Sequence, residues 1–275
     1  MNDSQAQADK ARRFLELHRR GDPLLMPNAW DLGSAALLAS LGFEAIATTS
    51  SGHAATLGRP DGAVTRDEAL AHAAELARGT DVPVSADLEN AFADEPAGVA
   101  ETIALAVETG LAGASVEDYS RDGEDIYEMG LARERVAAAA EAAHAGPVRL
   151  VLTARAENFI RGKPDLADTI ARLGAYQEAG ADVLYAPGLT SADDIRELIE
   201  AVDAPVNVLA VRGAPSVSEL AKFGVARISV GGAFAFVAFG ALLEAAEELR
   251  DQGTYGYLER AAAGSRALRN AFARS

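Results

Sequence analysis

Short apolar segments alternate along the chain with longer segments rich in alanine and leucine. The short segments are β-branched or apolar, which predicts strands. Their spacing of about 30 residues matches the length of a βα unit. The eight predicted strands are residues 24–27, 45–50, 82–89, 113–118, 149–157, 181–188, 205–210 and 226–232.

The segments between these strands carry apolar residues at helical spacing, and several have recognisable ends. Thr65 followed by Glu68 is a capping box, and Ser191 followed by Asp194 resembles one. Gly110 lies where a helix ends and the chain turns towards the next strand. The predicted helices are residues 30–41, 65–78, 96–109, 131–143, 165–178, 191–202 and 216–223.

Strict alternation of strands and helices predicts a parallel sheet, and eight repeats predict a closed (β/α)₈ TIM barrel of the α/β class. We expect residues 1–275 to form one domain, with an extra helix over 4–20 and a helical extension over 233–275. The extension begins GGAFAFVAFGALL, which is apolar nearly all round. Such a helix is buried either in its own core or against another subunit.

Composition narrows the classes of function. The chain has 41 acidic and 25 basic residues, a net charge of −16, which argues against nucleic-acid binding. It has no cysteine, which excludes disulfides, thiolate metal sites and cysteine nucleophiles and favours the cytoplasm. A polar N-terminus argues against a signal peptide, and the longest apolar run, 231–243, is too short to span a membrane.

Acidic residues end three of the predicted strands. In a TIM barrel the active site lies at the carboxyl ends of the strands. Asp87 and Glu89 are two residues apart and share one face of their strand, while Glu117 ends the next strand. Crowded carboxylates need a positive partner, and a hard cation such as Mg²⁺ provides one, with Mn²⁺ as an alternative. The other interpretation is that these acids only pair with Arg155 or cap loops.

Arg155 is the only cation at these strand ends. A guanidinium grips a carboxylate through two hydrogen bonds, which predicts an anionic substrate. The turn Thr49-Ser50-Ser51-Gly52 offers hydroxyl and backbone N–H groups to the same anion, although such a turn is often an ordinary loop.

The four histidines show no metal-binding spacing. His18, His72 and His144 fall on predicted helices, where we expect surface positions, whereas His53 follows the TSSG turn and could face the site. There is no GxSxG motif, so serine hydrolysis lacks support. The end of the eighth strand, 229–232, has the glycines of a barrel phosphate site, which core packing would explain equally well.

The ordered strand-end motifs resemble the isocitrate lyase and phosphoenolpyruvate mutase superfamily over residues 24–232. They are highly specific for the superfamily and much less so for any member. The motifs are Pro27-Asn28-Ala29-Trp30-Asp31, Gly42-Phe43, Thr49-Ser50-Ser51-Gly52, Gly58-Arg59-Pro60-Asp61, Asp87-Leu88-Glu89, Val116-Glu117-Asp118 and Thr153-Ala154-Arg155 with Glu157.

The resemblance implies a Mg²⁺-dependent barrel that binds a small 2-oxo or 2-hydroxy carboxylate and forms homodimers or homotetramers by swapping its last helix. It implies direct or water-mediated metal binding by Asp87, completed through water by Glu89 and Glu117. It places the substrate carboxylate on Ser50, Ser51 and Gly52, and the enolate oxygen on Arg155. It also implies that Trp30 lines the pocket and that Asp61 lies at its edge near a mobile loop.

The sequence departs from the resembled family in its loops. Residues 119–126 stand in place of the lyases' Lys-Lys/Arg-Cys-Gly-His loop, and the Lys-Thr-Asn type loop of the phosphonate enzymes is also absent. The metal motif is Asp-Leu-Glu where many relatives have Asp-x-Asp. Tyr185-Ala186-Pro187 stands where the mutase-type enzymes carry a histidine.

We therefore predict a magnesium enzyme that breaks a C–C bond of a 2-oxo or 2-hydroxy acid through an enolate, as a lyase or decarboxylase. Its predicted catalytic residues are Arg155, Asp61 and Glu117, and water, Tyr119 or Tyr185 would handle the proton. Three alternatives stay open: a mutase or hydrolase of P–C bonds, a non-catalytic 2-oxo acid binding protein, and a phosphosugar enzyme using the strand-eight glycines.

Overall fold

The computed structural model describes residues 3–273, so the two residues at each end of the predicted domain lie outside the described residues. Its strands follow the predicted order along the chain. They are β1 Leu24–Met26, β2 Asn28–Ala29, β3 Ile46–Thr48, β4 Val84–Asp87, β5 Gly113–Glu117, β6 Tyr119–Ser120, β7 Asp125–Ile126, β8 Val151–Arg155, β9 Val183–Tyr185, β10 Val206–Leu209 and β11 Arg227–Ser229.

A helix or a helical pair follows each barrel strand. The helices are α1 Asp3–Glu16, α2 Leu32–Ser40, α3 Ser50–Thr56, α4 Arg66–Arg78, α5 Pro96–Val107, α6 Met129–His144, α7 Leu166–Glu178, α8 Ala192–Ala201, α9 Val217–Phe223, α10 Ala233–Glu247 and α11 Tyr257–Phe272, with a π-helical turn over Glu248–Gln252.

Nine strands form one parallel sheet that closes on itself. β1 and β2 lie on either side of Pro27 and act as one barrel strand, since β1 pairs with β11 and β2 pairs with β3. β6 and β7 form a separate antiparallel hairpin after β5. The predicted (β/α)₈ barrel is confirmed, and each of the eight predicted strand segments contains a barrel strand.

Helix starts follow the predicted capping signals. Thr65 caps α4 in a reciprocal capping box with Glu68, and the Ser191 hydroxyl accepts a hydrogen bond from the Asp194 N–H. Two elements were not predicted from the apolar pattern. Helix α3 begins directly in the TSSG turn, and the hairpin β6–β7 occupies the loop after β5.

Helix α1 closes the N-terminal end of the barrel. Phe14 is completely buried and packs with the first residues of several strands in a small cluster of its own. A Cβ on Gly113 would lie only 2.7 Å from the Phe14 ring, so only glycine lets the ring approach β5 this closely. The main core lies between the sheet and the outer helices.

The C-terminal extension differs in its packing from the other helices. In α10 only Ala235 is buried, while Phe236 and Val237 are 53% and 70% exposed. Burial of this apolar helix in its own core is therefore ruled out for the single chain. Helix α11 returns to pack against α2. Within the described part of the chain, no helix combines the length and apolar composition needed to cross a membrane.

Candidate active site

A pocket of about 170 Å³ opens at the carboxyl ends of the barrel strands. Five of the predicted site residues line it: Ser50, Ser51, Asp61, Asp87 and Arg155. They come from α3, the loop after it, β4 and β8, so the closed barrel brings together side chains up to about a hundred residues apart. The predicted location of the site at the strand ends therefore agrees with the geometry of the pocket.

Arg155 is the centre of an ion-pair network. Its Nη1 donates to Asp87 Oδ1 at 2.8 Å, its Nη2 lies 2.9 Å from Glu117 Oε2, and Nη2 and Nε both donate to Glu157 Oε1. Glu117 and Glu157 are almost completely buried, whereas Asp87 is 18% exposed towards the pocket. The three carboxylates fix the plane of the guanidinium, so Arg155 faces the pocket in one defined orientation.

Two further arginines, neither of them predicted from the sequence, reach acids at the strand ends from loops. Arg161 donates to Glu157 Oε2 at 3.2 Å and to Glu117 Oε1 at 3.3 Å. Arg121, in the hairpin loop, forms an ion pair with the buried Glu89. Among the residues that the structure describes, Arg155 therefore shares the strand-end acids with two other cations. A signal for Arg161 was available, because it follows Glu157 by four residues, which is helical spacing.

Burial and charge oppose each other in this network. Burial raises the pKa of Glu117 to about 8, and Arg155 and Arg161 pull it in the opposite direction. Burial lowers the pKa of Arg155, but the carboxylates of Glu157, Glu117 and Asp87 outweigh it and hold that pKa well above its usual value. Arg155 is therefore charged at every accessible pH.

Helix α3 brings backbone donors next to Asp87. Thr49 has extended backbone angles and caps the helix, and its side chain accepts from the Gly52 N–H. The Ser50 N–H donates to Asp87 Oδ2 at 3.2 Å, and Thr48 Oγ1 accepts from the Asp87 N–H at 2.9 Å. The TSSG segment is thus the start of a helix that borders the pocket rather than an ordinary loop.

The chain after β4 adopts an unusual backbone around Glu89. Glu89, Ala91 and Phe92 have φ values of 54°, 59° and 56°, a left-handed region that side chains with a Cβ seldom adopt. Buried Arg135 holds this segment by donating to the carbonyl oxygens of Asn90, Ala93 and Asp94. Such strain persists only where its surroundings enforce it, and it occurs often at functional sites.

The remaining predicted site residues lie behind the lining of the pocket. Gly52 is buried, and a Cβ on it would lie 2.6 Å from Thr49 and 3.1 Å from Trp30, so glycine is required for α3 to pack here. Trp30, Glu89 and Glu117 are likewise not among the lining residues. Glu117 acts on the pocket through its contact with Arg155.

The surface positions predicted for His18 and His72 are wrong, since both side chains are only 8% exposed. His72 stacks on His53 with ring centroids 3.7 Å apart, and its Nε2 lies 3.1 Å from the Trp30 carbonyl. His53 does not line the main pocket but a small cavity beside it, together with Asp87 and Glu89. Helical periodicity alone does not reveal the burial of His72, because α4 is covered at this point by His53 of α3 as well as by the sheet.

Whether the pocket can hold a divalent cation depends on how many protein carboxylates that cation requires as ligands. Within residues 3–273, no three acidic or histidine side chains converge in the manner of a protein-only metal cage. Mg²⁺ commonly binds one or two carboxylates and takes its remaining ligands from water and substrate. Asp87 faces the pocket. Its Oδ1 accepts from Arg155 and from the Glu89 N–H, whereas its Oδ2 accepts from the Ser50 N–H and retains a lone pair. The donor set therefore fits a magnesium ion that keeps water ligands.

Comparison with known proteins identifies the family to which this barrel belongs. The sequence profile of the family described as phosphoenolpyruvate phosphomutase matches residues 14–250. The chain belongs to this family. It is a member of the isocitrate lyase and phosphoenolpyruvate mutase superfamily, as its motifs indicate.

The members of this superfamily that resemble the chain are named for different reactions. A lyase/mutase-type protein of Burkholderia cenocepacia is 52% identical with a TM-score of 0.90, covering 93% of this chain and 92% of its own. A 2-methylisocitrate lyase of Halalkalibacterium halodurans is 30% identical over 73% of this chain and 67% of its own length. An oxaloacetate acetylhydrolase bound to oxalate is 25% identical with a TM-score of 0.82, covering 90% of this chain and 89% of its own. The superfamily comprises lyases, decarboxylases and phosphonomutases that act on small carboxylic acids.

Proposed function

We propose that this superfamily member is a magnesium-dependent lyase or decarboxylase that breaks a C–C bond of a small 2-oxo or 2-hydroxy carboxylic acid through an enolate. The observation that carries the proposal is the position of Arg155. Its guanidinium lines the pocket while Asp87, Glu117 and Glu157 hold it in place. A fixed guanidinium stabilises negative charge that develops on an oxygen during bond breakage.

Each pocket residue has a defined part in this proposal. Ser50 and Ser51, at the start of α3, offer hydroxyl groups to the substrate carboxylate, and Arg155 donates to the oxygen that becomes the enolate. Asp87 would hold Mg²⁺, assisted through water by Glu89 and Glu117. Bound Mg²⁺ would add positive charge at the same oxygens. Asp61 lines the pocket from the loop after α3 and would help to close it.

Because the chain has no cysteine, another group must protonate the enolate, and the structure favours Tyr185 over Tyr119. Tyr185 lines the pocket, and burial raises its pKa to about 12, so its phenol keeps a proton at neutral pH. Tyr119 is not among the lining residues, and its ring is covered by Arg161 at 3.7 Å. We assign to Tyr185 the delivery of a proton to the enolate carbon, directly or through water.

Cleavage of a P–C bond is the second candidate. It is supported by the match to the phosphoenolpyruvate phosphomutase profile over residues 14–250. The same pocket would then hold a phosphonate in place of the departing carbon group. Both reactions pass through the enolate of a 2-oxo acid, so Arg155 would have one role in either.

We also propose that the protein is a homo-oligomer in which α10 of one copy packs on a second copy. Most of the apolar residues of α10 are left uncovered by its own chain, and the helix packs on the barrel at β2 and, through Ala235, beside Gly52 of α3. A second copy presents an identical face, and a two-fold arrangement would cover both.

The proposed function is tested by thermal unfolding with pyruvate, oxaloacetate, 2-oxoglutarate and phosphonopyruvate, each with and without Mg²⁺, followed by turnover assays. A ligand that binds the native state raises the melting temperature. We expect Mg²⁺-dependent stabilisation by 2-oxo acids and turnover of one of them. Stabilisation without turnover would indicate a non-catalytic binding protein, turnover of phosphonopyruvate alone would favour the second candidate, and no stabilisation would refute the proposal.

A further inference from the structure

A second arginine lies at the bottom of the pocket. Arg227, on β11, is only 2% exposed and is among the residues that line the pocket. Its Nη2 donates to Thr153 Oγ1 at 3.1 Å. Thr153 precedes Arg155 by two residues on β8, so the residue that Arg227 contacts lies roughly 7 Å along the strand from Arg155.

Arg227 differs from Arg155 in that all its partners are neutral. Besides Thr153 they are Asn207 Oδ1 at 2.9 Å from Nε and His18 Nε2 at 3.1 Å from Nη1. His18 donates its other ring proton to the Phe14 carbonyl, and burial together with Arg227 lowers its pKa to about 3. His18 is therefore uncharged, and within residues 3–273 no carboxylate forms an ion pair with Arg227.

The charge of Arg227 remains uncompensated in a buried position. A guanidinium has five N–H donors, and three of those of Arg227 have a protein partner. Burial lowers its pKa only to about 10, so it stays charged near neutral pH. An isolated buried charge is costly unless something pairs with it.

The surroundings of Arg227 in the pocket are suited to an anion. Ser85, Ser115 and Ser229 line the pocket as well, and the amide of Asn207, whose Oδ1 accepts from Arg227, donates to Ser229 Oγ at 2.9 Å. The acids that line the pocket are Asp61, in a loop, and Asp87, which is bonded to Arg155. Positive charge, neutral donors and a cavity thus coincide at the bottom of the barrel.

We infer that the floor of the pocket at Arg227 is a binding site for a single negative charge, separate from the Arg155 network. The anion is either a free halide or the distal carboxylate of a dicarboxylate substrate. The second source rests on the proposed function, because the other end of that substrate would lie at Arg155. If the anion is the substrate carboxylate, Arg227 determines specificity, because it favours ligands that bring a second negative charge.

Crystallography of the unmodified chain tests the halide source. Crystals grown without chloride and soaked in sodium bromide are expected to show an anomalous bromide peak within hydrogen-bond distance of the Arg227 guanidinium. Titration with bromide should also weaken the binding of a dicarboxylate if the two anions share the site. These measurements need no variant and do not depend on turnover.

Matched ligand pairs test the carboxylate source. In each pair, one ligand has a distal carboxylate where the other has a methyl group. The pairs are malate with 2-hydroxybutyrate, and 2-oxoglutarate with 2-oxopentanoate. With Mg²⁺ present, we expect the unmodified protein to bind the dicarboxylate of at least one pair about tenfold or more tightly, the effect of a charge-assisted hydrogen bond. Arg227→Met should remove that preference, and Arg227→Lys should restore part of it.

Arg149→Met is the matched control. Arg149 precedes β8 at the opposite end of the barrel and bonds to Asp182, so its replacement changes the net charge equally without touching the pocket. It should leave the dicarboxylate preference unchanged. Each protein is compared with its own ligand-free melting temperature, which separates a loss of binding from a loss of stability.

The outcomes distinguish the sources and the two proposals. A bromide peak at Arg227 supports a free anion, and a dicarboxylate preference lost in Arg227→Met supports the substrate carboxylate. If the variant does not fold, the bromide peak and bromide competition decide. The absence of both a peak and a preference overturns the inference. Failure of both members of every pair to bind, with a bromide peak present, would refute the proposed function alone.

Discussion

At the scale of single residues, the site depends on the fork geometry of Arg155. One guanidinium contacts three carboxylates, on β4, β5 and the segment after β8, and still faces the pocket. A lysine carries the same charge but has no planar fork, so it cannot hold several carboxylates in one plane. The identity of the residue therefore matters more than its charge.

Arg155→Lys tests this dependence on geometry. We expect kcat/KM for the substrate found in the turnover screen to fall by about 10²–10³, because the oriented donors to the enolate oxygen are lost. Steady-state kinetics measures the effect, and Arg149→Lys on the same segment of chain is the control. Wild-type kcat/KM in Arg155→Lys would show that charge alone suffices.

The buried histidine His72 makes stability depend on pH. Burial, followed by the neighbouring His53, lowers the pKa of His72 to about 4 from an ordinary value near 6.5. A lowered pKa means that the unfolded chain takes up a proton before the native state does. The contribution of neutral His72 to stability is therefore fully present above pH 6.5 and is lost as the pH falls from 6.5 towards 4.

His72→Gln keeps a donor for the Trp30 carbonyl and removes the titrating ring. We expect the melting temperature of the variant to fall less than that of the wild type between pH 6.5 and pH 4. Both proteins should be compared first at pH 7.5, where neither carries a charge at this position. Parallel melting curves across the whole range would contradict the assignment.

At the scale of elements, α1 is the closure of the barrel rather than an appendage. Its Phe14 is completely buried among Leu24, Met26 and Val151, the first residues of β1 and β8 and their neighbours. A ring in that position excludes water from the end of the barrel opposite the active site. The sequence pattern predicts the helix, but it does not indicate where the helix packs.

Phe14→Ala should lower the free energy of unfolding by about 3–5 kcal/mol, since a large buried ring is replaced by a cavity. Denaturation with urea, followed by circular dichroism, measures the change. Leu15→Ala, one residue further on α1, is the control, because Leu15 is 37% exposed and should change stability by less than about 0.5 kcal/mol. Equal effects of the two substitutions would mean that α1 does not close the barrel in solution.

Helix α3 and the hairpin β6–β7 are too short to be predicted from the apolar pattern of the chain. Both are only a few residues long, and neither contains enough residues to establish an apolar period. They form because the barrel holds their ends and because caps and turns satisfy their backbone groups. Helix α3 lines the pocket with Ser50, and the loop of the hairpin reaches the buried Glu89 with Arg121.

At the scale of the whole molecule, α10 exposes more apolar surface than a stable monomer ordinarily does. Phe236, Val237, Leu242 and Leu243 are all at least half exposed. Contiguous apolar surface of this kind is a mark of an interface.

Val237→Glu tests the proposed assembly. Val237 is 70% exposed in the single chain, so a charge there is harmless to a monomer but costly in an apolar interface. We expect the wild type to be a dimer or tetramer by light scattering after size exclusion, and the variant to shift towards the monomer. Leu41→Glu, at a 67% exposed position outside α10, is the control. A monomeric wild type would refute the proposal.

The order of apolar and polar residues along the chain is enough to predict the architecture and the end of the barrel that carries polar chemistry. Hydrophobic periodicity is a local property, and eight strand-helix repeats leave few arrangements other than a parallel barrel. The acids Asp87, Glu89 and Glu117 and the cation Arg155 were found because they follow buried strands, whose ends must meet on one face.

The partners of these charges cannot be predicted from the chain order, because they meet only in the folded barrel. Arg121 and Arg161 reach the acids from loops, and loop conformation depends on distant contacts. The burial of His72 and the neutral surroundings of Arg227 depend on elements up to two hundred residues away in the chain, since Arg227 bonds to His18. Pairing and burial are properties of the closed barrel, because its curvature determines which side chains share an interior without water.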